Sequence, residues 1–200
     1  MLRLFLLPAN RSNRQGYNQE TTFKPIFLMT RAKLLQPDLV LGNTILHLTP
    51  RILQRHHLQG LVLDVDETLV SFRRADFSEE LQFWVEKIRP ILPIWLVSNN
   101  LSEVRIGRIA DSLNLPYLFG AGKPSRRKIR YAIQAMNLPV STVAMVGDRL
   151  FTDVLAGNRL GMFTILVEPM VHPELSPKSH SLRNLEVWIS EKLGVTLHHS

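Results

Sequence analysis

Cysteine is absent from the 200 residues. That excludes a disulfide scaffold, a thiolate nucleophile, an iron–sulfur cluster and a cysteine-ligated zinc. Long apolar runs are absent too. The most apolar stretches, Leu34–Leu53 and Ile88–Val97, are broken by Pro, Asn, Arg or His, short of the ~18 uninterrupted residues that a membrane span needs. The expectation is a soluble chain, cytoplasmic or at most lying on a membrane surface. Acidic groups are scarce at the start, where residues 1–28 hold Arg3, Arg11, Arg14 and Lys24 against Glu20 alone. This leader therefore carries +3 of the formal +7. The remaining +4 is mild and suits an anionic ligand without saying which.

The leader shows no sustained period of 2 or 3.6 and is rich in Asn and Gln. Three readings stay open: translation starting at Met29, an organelle transit segment that would imply import, or an ordered extension. Residues 29–200 are read as one domain, long enough to bury a core without staples. Within it, continuous apolar runs of strand length recur at Gly60–Val65, Pro93–Val97, Leu115–Phe119, Thr142–Val146 and Phe163–Val167. Between them Glu79–Ile88, Leu101–Leu113, Arg126–Met136 and Thr152–Leu160 repeat apolar residues at helical spacing. Strands without polar alternation, separated by helices, predict an α/β fold of three αβα layers with a parallel, Rossmann-like sheet. Right-handed crossovers bring all strand C-termini to one edge, where ligands of such sheets bind. Pro169–Pro177 reads as a loop before a last helix near Leu182–Leu193.

Four motifs meet that placement. Asp64-Val65-Asp66-Glu67-Thr68-Leu69 closes the first clear strand, with two carboxylates converging on one side. Like charges so close need a cation or a shared proton. Ser98-Asn99-Asn100 follows the second strand, and Asn100 with Glu103 has the spacing of a helix capping box. Lys123-Pro124 precedes a helix, Pro suiting its first turn and Lys supplying a compact charge for phosphate. Gly147-Asp148 ends another strand, with Asp153 expected at the next helix start as a ligand or a cap. Each motif alone is modest. Their joint arrival at one sheet edge is specific.

Order and spacing resemble the haloacid dehalogenase superfamily over residues ~58–170. Ser98-Asn99-Asn100, Lys123-Pro124 and Gly157-Asn158-Arg159-Leu160-Gly161-Met162 are similar to its subclass IIIA, YqeG-type branch, which includes phosphatidylglycerophosphate phosphatases. The resemblance implies a phosphatase in which Asp64 is the nucleophile and Asp66 the general acid, then base. It implies that Ser98, Asn99 and Lys123 hold phosphoryl oxygens. Mg²⁺ would be bound by Asp64, Asp148 and the Asp66 carbonyl, with Thr68 and Asp153 in support. Oxygen-only ligands fit Mg²⁺, and an anion attacking a phosphate needs such positive charge.

The gaps between motif residues are 31 residues from Asp66 to Ser98, then 24, then 24. Each is filled by the helix and strand that the sheet requires, and only Val70–Ser78 is left over for a short flap. A capless site is expected, open to a bulky substrate such as a lipid phosphate at a membrane surface, with phosphatidylglycerophosphate preferred. A phosphoprotein or a nucleic-acid end is the alternative substrate. A receiver-like or non-catalytic phospho-binding domain is the alternative from another class. Arg126, Arg127, Lys128 and Arg130 are read as a solvated helix face. Trp84 and Trp95 are read as core, and the histidines receive no role.

Overall fold

The computed structural model describes residues 33–69, 78–170, 177–192 and 194–197. The leader and nearly all of the expected flap lie outside these. Six strands form one sheet: β1 (Leu39–Val40), β2 (Gly60–Leu63), β3 (Ile94–Val97), β4 (Tyr117–Leu118), β5 (Val143–Gly147) and β6 (Phe163–Leu166). Their spatial order is β1-β6-β5-β2-β3-β4, and every pair is parallel. β2 lies at the centre and is buried along its whole length, which explains why its sequence shows no polar alternation.

The helices are α1 (Pro50–Arg55), α2 (Glu79–Ile88), α3 (Glu103–Leu113), α4 (Arg127–Met136), α5 (Leu155–Leu160) and α6 (Pro177–Lys192). One apolar cluster joins Leu61, Leu63 and Leu96 of the sheet to Leu81, Trp84, Ile106 and Ile109. The opposite cluster joins Val62, Val97 and Met145 to Ile129, Ile133 and Ala156. Alternate residues of the same strands thus feed opposite layers, as the period of two dictates. Trp84 is core and donates its indole N–H to the Leu48 carbonyl. Trp95 is only half buried, packed edge-on to Tyr131.

Three expectations change in detail. The two-residue β1 falls inside Leu34–Leu53 and pairs with β6; so short an edge strand leaves no periodic signal. Helix α3 starts at Glu103 and is capped by Ser102, not Asn100. Asn100 Oδ1 accepts the Ser102 N–H at 2.9 Å, so the asparagine shapes the turn that delivers the cap. The C-terminal helix begins earlier than expected, at Pro177.

Gly157–Met162 is structural. A Cβ at Gly157 would lie 2.5 Å from Thr164 Cγ2 and 3.0 Å from Met145 Cβ, so only glycine lets α5 sit on the sheet. The Asn158 amide donates to the carbonyls of Leu34 and Gln36, tying the chain before β1 to α5.

Candidate active site

All four motifs arrive at the C-terminal edge of the sheet, where a cavity of about 370 Å³ opens between them. Asp64, Asp66, Glu67, Asn99, Lys123 and Arg149 help to line it. Among the described residues no separate domain stands over this edge.

At the floor, Asp64 follows β2 directly, and its backbone N–H bonds the Val146 carbonyl at 2.9 Å. Its Oδ1 receives the ammonium of Lys123, which also pairs with Asp153 Oδ1 at 2.7 Å. Asp64, Asp148 and Asp153 are all buried, and one carboxylate oxygen from each lies within 4.8 Å of the others. The Thr68 hydroxyl stands 3.3 Å from Asp64 Oδ2 and 3.1 Å from Asp148 Oδ1; its single proton serves one of them at a time. Burial pushes the Asp64 carboxyl up to about 7, and Asp153 adds to the rise while Lys123 opposes it. Burial alone would lower Lys123, but Asp153 and Asp64 reverse this and hold its ammonium above the usual range. One lysine among three buried carboxylates leaves negative charge in excess, which is the setting for a bound cation.

Asp153 reaches this floor from an unusual position. It lies in a wide π-type turn, Leu150–Val154, ahead of α5 rather than at that helix's first residue. Its carboxylate folds back over Gly147, where a Cβ would fall 2.3 Å from Asp153 Oδ2. The glycine of the Gly-Asp pair is therefore required by a side chain six residues away.

The rim is built differently. Glu67 has φ +67°, so the chain turns sharply after Asp66. The Ser98 hydroxyl donates to Asp66 Oδ2 at 2.9 Å and accepts the Asn100 N–H at 2.9 Å. Arg105 Nη2 donates to Asp66 Oδ1 at 3.0 Å. Asn99 engages the main chain of Lys123 at both ends of its amide, accepting from N at 2.6 Å and donating to O at 3.1 Å. The side chain expected on phosphate thus also holds the backbone of the lysine expected there. Arg149 leans away from the floor to pair with Glu186 of α6.

Every residue predicted for the site is brought to this edge. Arg105 and Arg149 were not foreseen. For Arg105 the sequence did hold a signal: a cation in the first turn of α3 opposes the helix dipole, so its position calls for a carboxylate partner from elsewhere. Of the predicted basic helix face, Arg127 and Arg130 are exposed. Lys128 bonds the Phe119 carbonyl and stands over its ring, and Arg126 bonds the Arg159 carbonyl.

A family model described as HAD-hydrolase-like, HAD standing for haloacid dehalogenase, matches residues 120–174. The "Probable phosphatase YqeG" of Bacillus subtilis is 35% identical over 139 residues, covering 69% of this chain and 80% of that protein. The chloroplastic/mitochondrial phosphatidylglycerophosphate phosphatase 1 of Arabidopsis thaliana is 25% identical over 145 residues, covering 68% of this chain but 42% of that protein. Among solved structures, the 3-deoxy-D-manno-octulosonate 8-phosphate phosphatase of Moraxella catarrhalis aligns with a TM-score of 0.42 at 13% identity, over 72% of this chain and 94% of that one. With that identity over 80% of the length of YqeG, the chain belongs with the YqeG-type phosphatases of the haloacid dehalogenase superfamily.

Proposed function

We propose that the protein is a Mg²⁺-dependent phosphomonoester hydrolase working through an aspartyl-phosphate, and that its substrate is phosphatidylglycerophosphate at a membrane surface. The observation that carries the chemistry is the division between floor and rim. Asp64 stands with Lys123 at the buried floor, and Asp66 stands two residues on, at the wall, with separate partners. An Asp64 oxygen attacks phosphorus and the bond to the alcohol oxygen breaks, while Asp66 gives that oxygen a proton. Water then attacks the aspartyl-phosphate and passes a proton back to Asp66, releasing inorganic phosphate and the free Asp64 carboxylate. Lys123 neutralises charge on the phosphoryl oxygens as it transfers, and Ser98 orients Asp66.

The donor set fits a hard divalent cation: three convergent carboxylates, no sulfur or imidazole, and one lysine to balance them. Asp64, Asp148 and the Asp66 carbonyl would hold it, with Asp153 and Thr68 completing the surroundings. When bound, Mg²⁺ supplies positive charge to the transferring phosphoryl group.

Four features support the lipid. The Arabidopsis relative is named for that substrate. The cavity, about 370 Å³, lies at the small end of the ~300–1,000 Å³ that hold whole drug-sized ligands and suits a phosphorylated head better than a diacyl body. Leu101, which lines the cavity, is 84% exposed, and Val104 in the first turn of α3 is 65% exposed. Of the basic groups in residues 99–131, Lys123 and Arg105 are paired within the site, while Arg108, Arg127 and Arg130 are exposed. At ~1 kcal/mol per well-placed Lys or Arg, such a flank holds a protein to anionic lipid. Among the described residues no helix is long and apolar enough to cross a membrane, so the attachment proposed is peripheral. The test is phosphate release from phosphatidylglycerophosphate in mixed micelles with Mg²⁺, expected to exceed release from short soluble esters. Faster turnover of a phosphopeptide or a 3′-phosphorylated oligonucleotide, with the lipid untouched, overturns the substrate and leaves the mechanism.

A further inference from the structure

Asp66 is held at both oxygens by residues from outside its own loop. Ser98 takes Oδ2, and its hydroxyl rotor is fixed because it also accepts the Asn100 N–H. Arg105 takes Oδ1. The two clamps differ in what carries them. Ser98 directly follows β3, whereas Arg105 extends from α3, whose opposite side is locked in the core by Ile106, Ile109 and Ala110. Asp66 itself forms an isolated β-bridge just ahead of the left-handed Glu67, so its backbone is placed by the fold and its carboxylate is held by these two partners. Arg105 is only 17% exposed at its side chain, which favours a fixed pair over a loose surface one.

We infer that Arg105 is a positioning residue for proton transfer: it aims Asp66 at the oxygen of the departing alcohol. The inference rests on the assignment of Asp66 as proton donor made above. It does not depend on the lipid, and the experiment uses soluble esters so that the two can fail separately. Aiming a proton donor matters only when the leaving oxygen needs a proton. Glycerol phosphate releases an alkoxide that must be protonated as it leaves, while p-nitrophenyl phosphate releases a phenolate that need not be. A purely structural role would depress both alike.

The measurement is kcat and KM of the full chain and of Arg105→Ala on those two esters with Mg²⁺, beside Asp66→Asn as the reference. Misplacing a general acid costs part of its usual 10²–10⁴-fold contribution. Arg105→Ala is therefore expected to lower kcat/KM, which reports only the steps up to release of the alcohol, by roughly 10–100-fold on glycerol phosphate and by less than about 3-fold on p-nitrophenyl phosphate, whatever the later hydrolysis step shared by both esters takes from kcat. Arg105→Lys, which keeps the charge on a shorter reach, should recover part of the loss and is the variant to use if the alanine protein does not fold. Equal losses of kcat/KM on the two esters would overturn the inference. The same loss on glycerol phosphate when Arg105→Ala is made in an Asp66→Asn background would overturn it too, making Arg105 a binding group for the alcohol. So would an Asp66→Asn protein that keeps its turnover of glycerol phosphate.

Discussion

The floor and the rim of one cavity hold charge in opposite ways. At the floor, Asp64, Lys123, Asp148 and Asp153 are residues at most 7% exposed; Asp64 and Asp148 directly follow strands, Asp153 lies in the wide turn beside the sheet and Lys123 in the loop beyond β4. At the rim the carboxylates of Asp66 and Glu186 are buried too, but their cations are more open, Arg149 at 31% and Arg105 at 17% side-chain exposure, and come from a loop and a helix start. Buried charge must be matched or it shifts its protonation, and Asp64 shows that shift. Charge at the rim shares its field with water and can release a partner when substrate enters. Capture and covalent chemistry suit the first setting, and proton delivery to a departing alcohol suits the second.

The contrast breaks most sharply at the nucleophile. Asp64→Asn is expected to reduce turnover by at least ~10⁴-fold with the fold kept, read by phosphate release and circular dichroism. Its effect on stability should be opposite in sign. The asparagine removes a carboxylate that burial disfavours, so the metal-free protein at pH 8 should melt higher than the wild type. A variant that retains turnover would remove Asp64 from the mechanism.

Removing the floor's cation should do the reverse. Lys123→Met leaves Asp64 and Asp153 without their shared counter-charge, and an uncompensated buried charge costs about 3–5 kcal/mol. Denaturant unfolding at pH 8 without metal reads this. Added Mg²⁺ should restore part of the stability though not the activity. An unchanged midpoint would mean that the floor is wetter than its burial indicates.

Metal-free protein should also respond to pH through Asp64. Its carboxyl titrates near 7 in the fold against 3.8 when unperturbed, so the folded state binds that proton more tightly than the unfolded chain. The stabilisation from the proton is full below about pH 4 and is lost as pH rises towards 7. Melting midpoints should therefore fall across that window, flatten above it, and lose this slope in Asp64→Asn. Saturating Mg²⁺, which binds the ionised carboxylate, should suppress the slope as well.

Which half was legible follows from the same contrast. Asp64, Asp66, Ser98, Lys123 and Asp148 stand at or just beyond the C-terminal ends of strands or the turns that follow, so apolar runs located them through linear order alone. Asp153 was placed by spacing, but the wide turn that swings it over Gly147 left no pattern in the residues. The pairings of the rim's arginines needed information that the chain does not carry locally, beyond the hint that a cation in the first turn of α3 gives. Arg105 meets Asp66 across 39 positions and Arg149 meets Glu186 across 37, and neither pair shares a period or a strand end. The helix cap was misplaced for a related reason. Asn100 and Ser102 are both good capping residues, and only the turn geometry decides that one serves the other. β1 was missed because two residues cannot display alternation.

Asn99 joins the two halves and yields the smallest effect. Its position suggested a phosphate ligand, but both ends of its amide hold the main chain of Lys123. The side chain is itself exposed, so water can replace those bonds, and Asn99→Ala should cost only about 1 kcal/mol of stability. Function separates strut from ligand. If Asn99 keeps the loop of Lys123 in place, its loss lets the ammonium wander from the phosphoryl group during transfer. In that case kcat should fall by roughly 3–10-fold while inhibition by inorganic phosphate stays close to that of the wild type. A group that touched phosphate directly would show the opposite division, with the inhibition constant for phosphate rising about tenfold or more, the value of one lost hydrogen bond to a charged group. Measured side by side with Arg105→Ala, the pair would show whether the rim acts on the floor by holding its lysine, by aiming its proton donor, or by both routes independently.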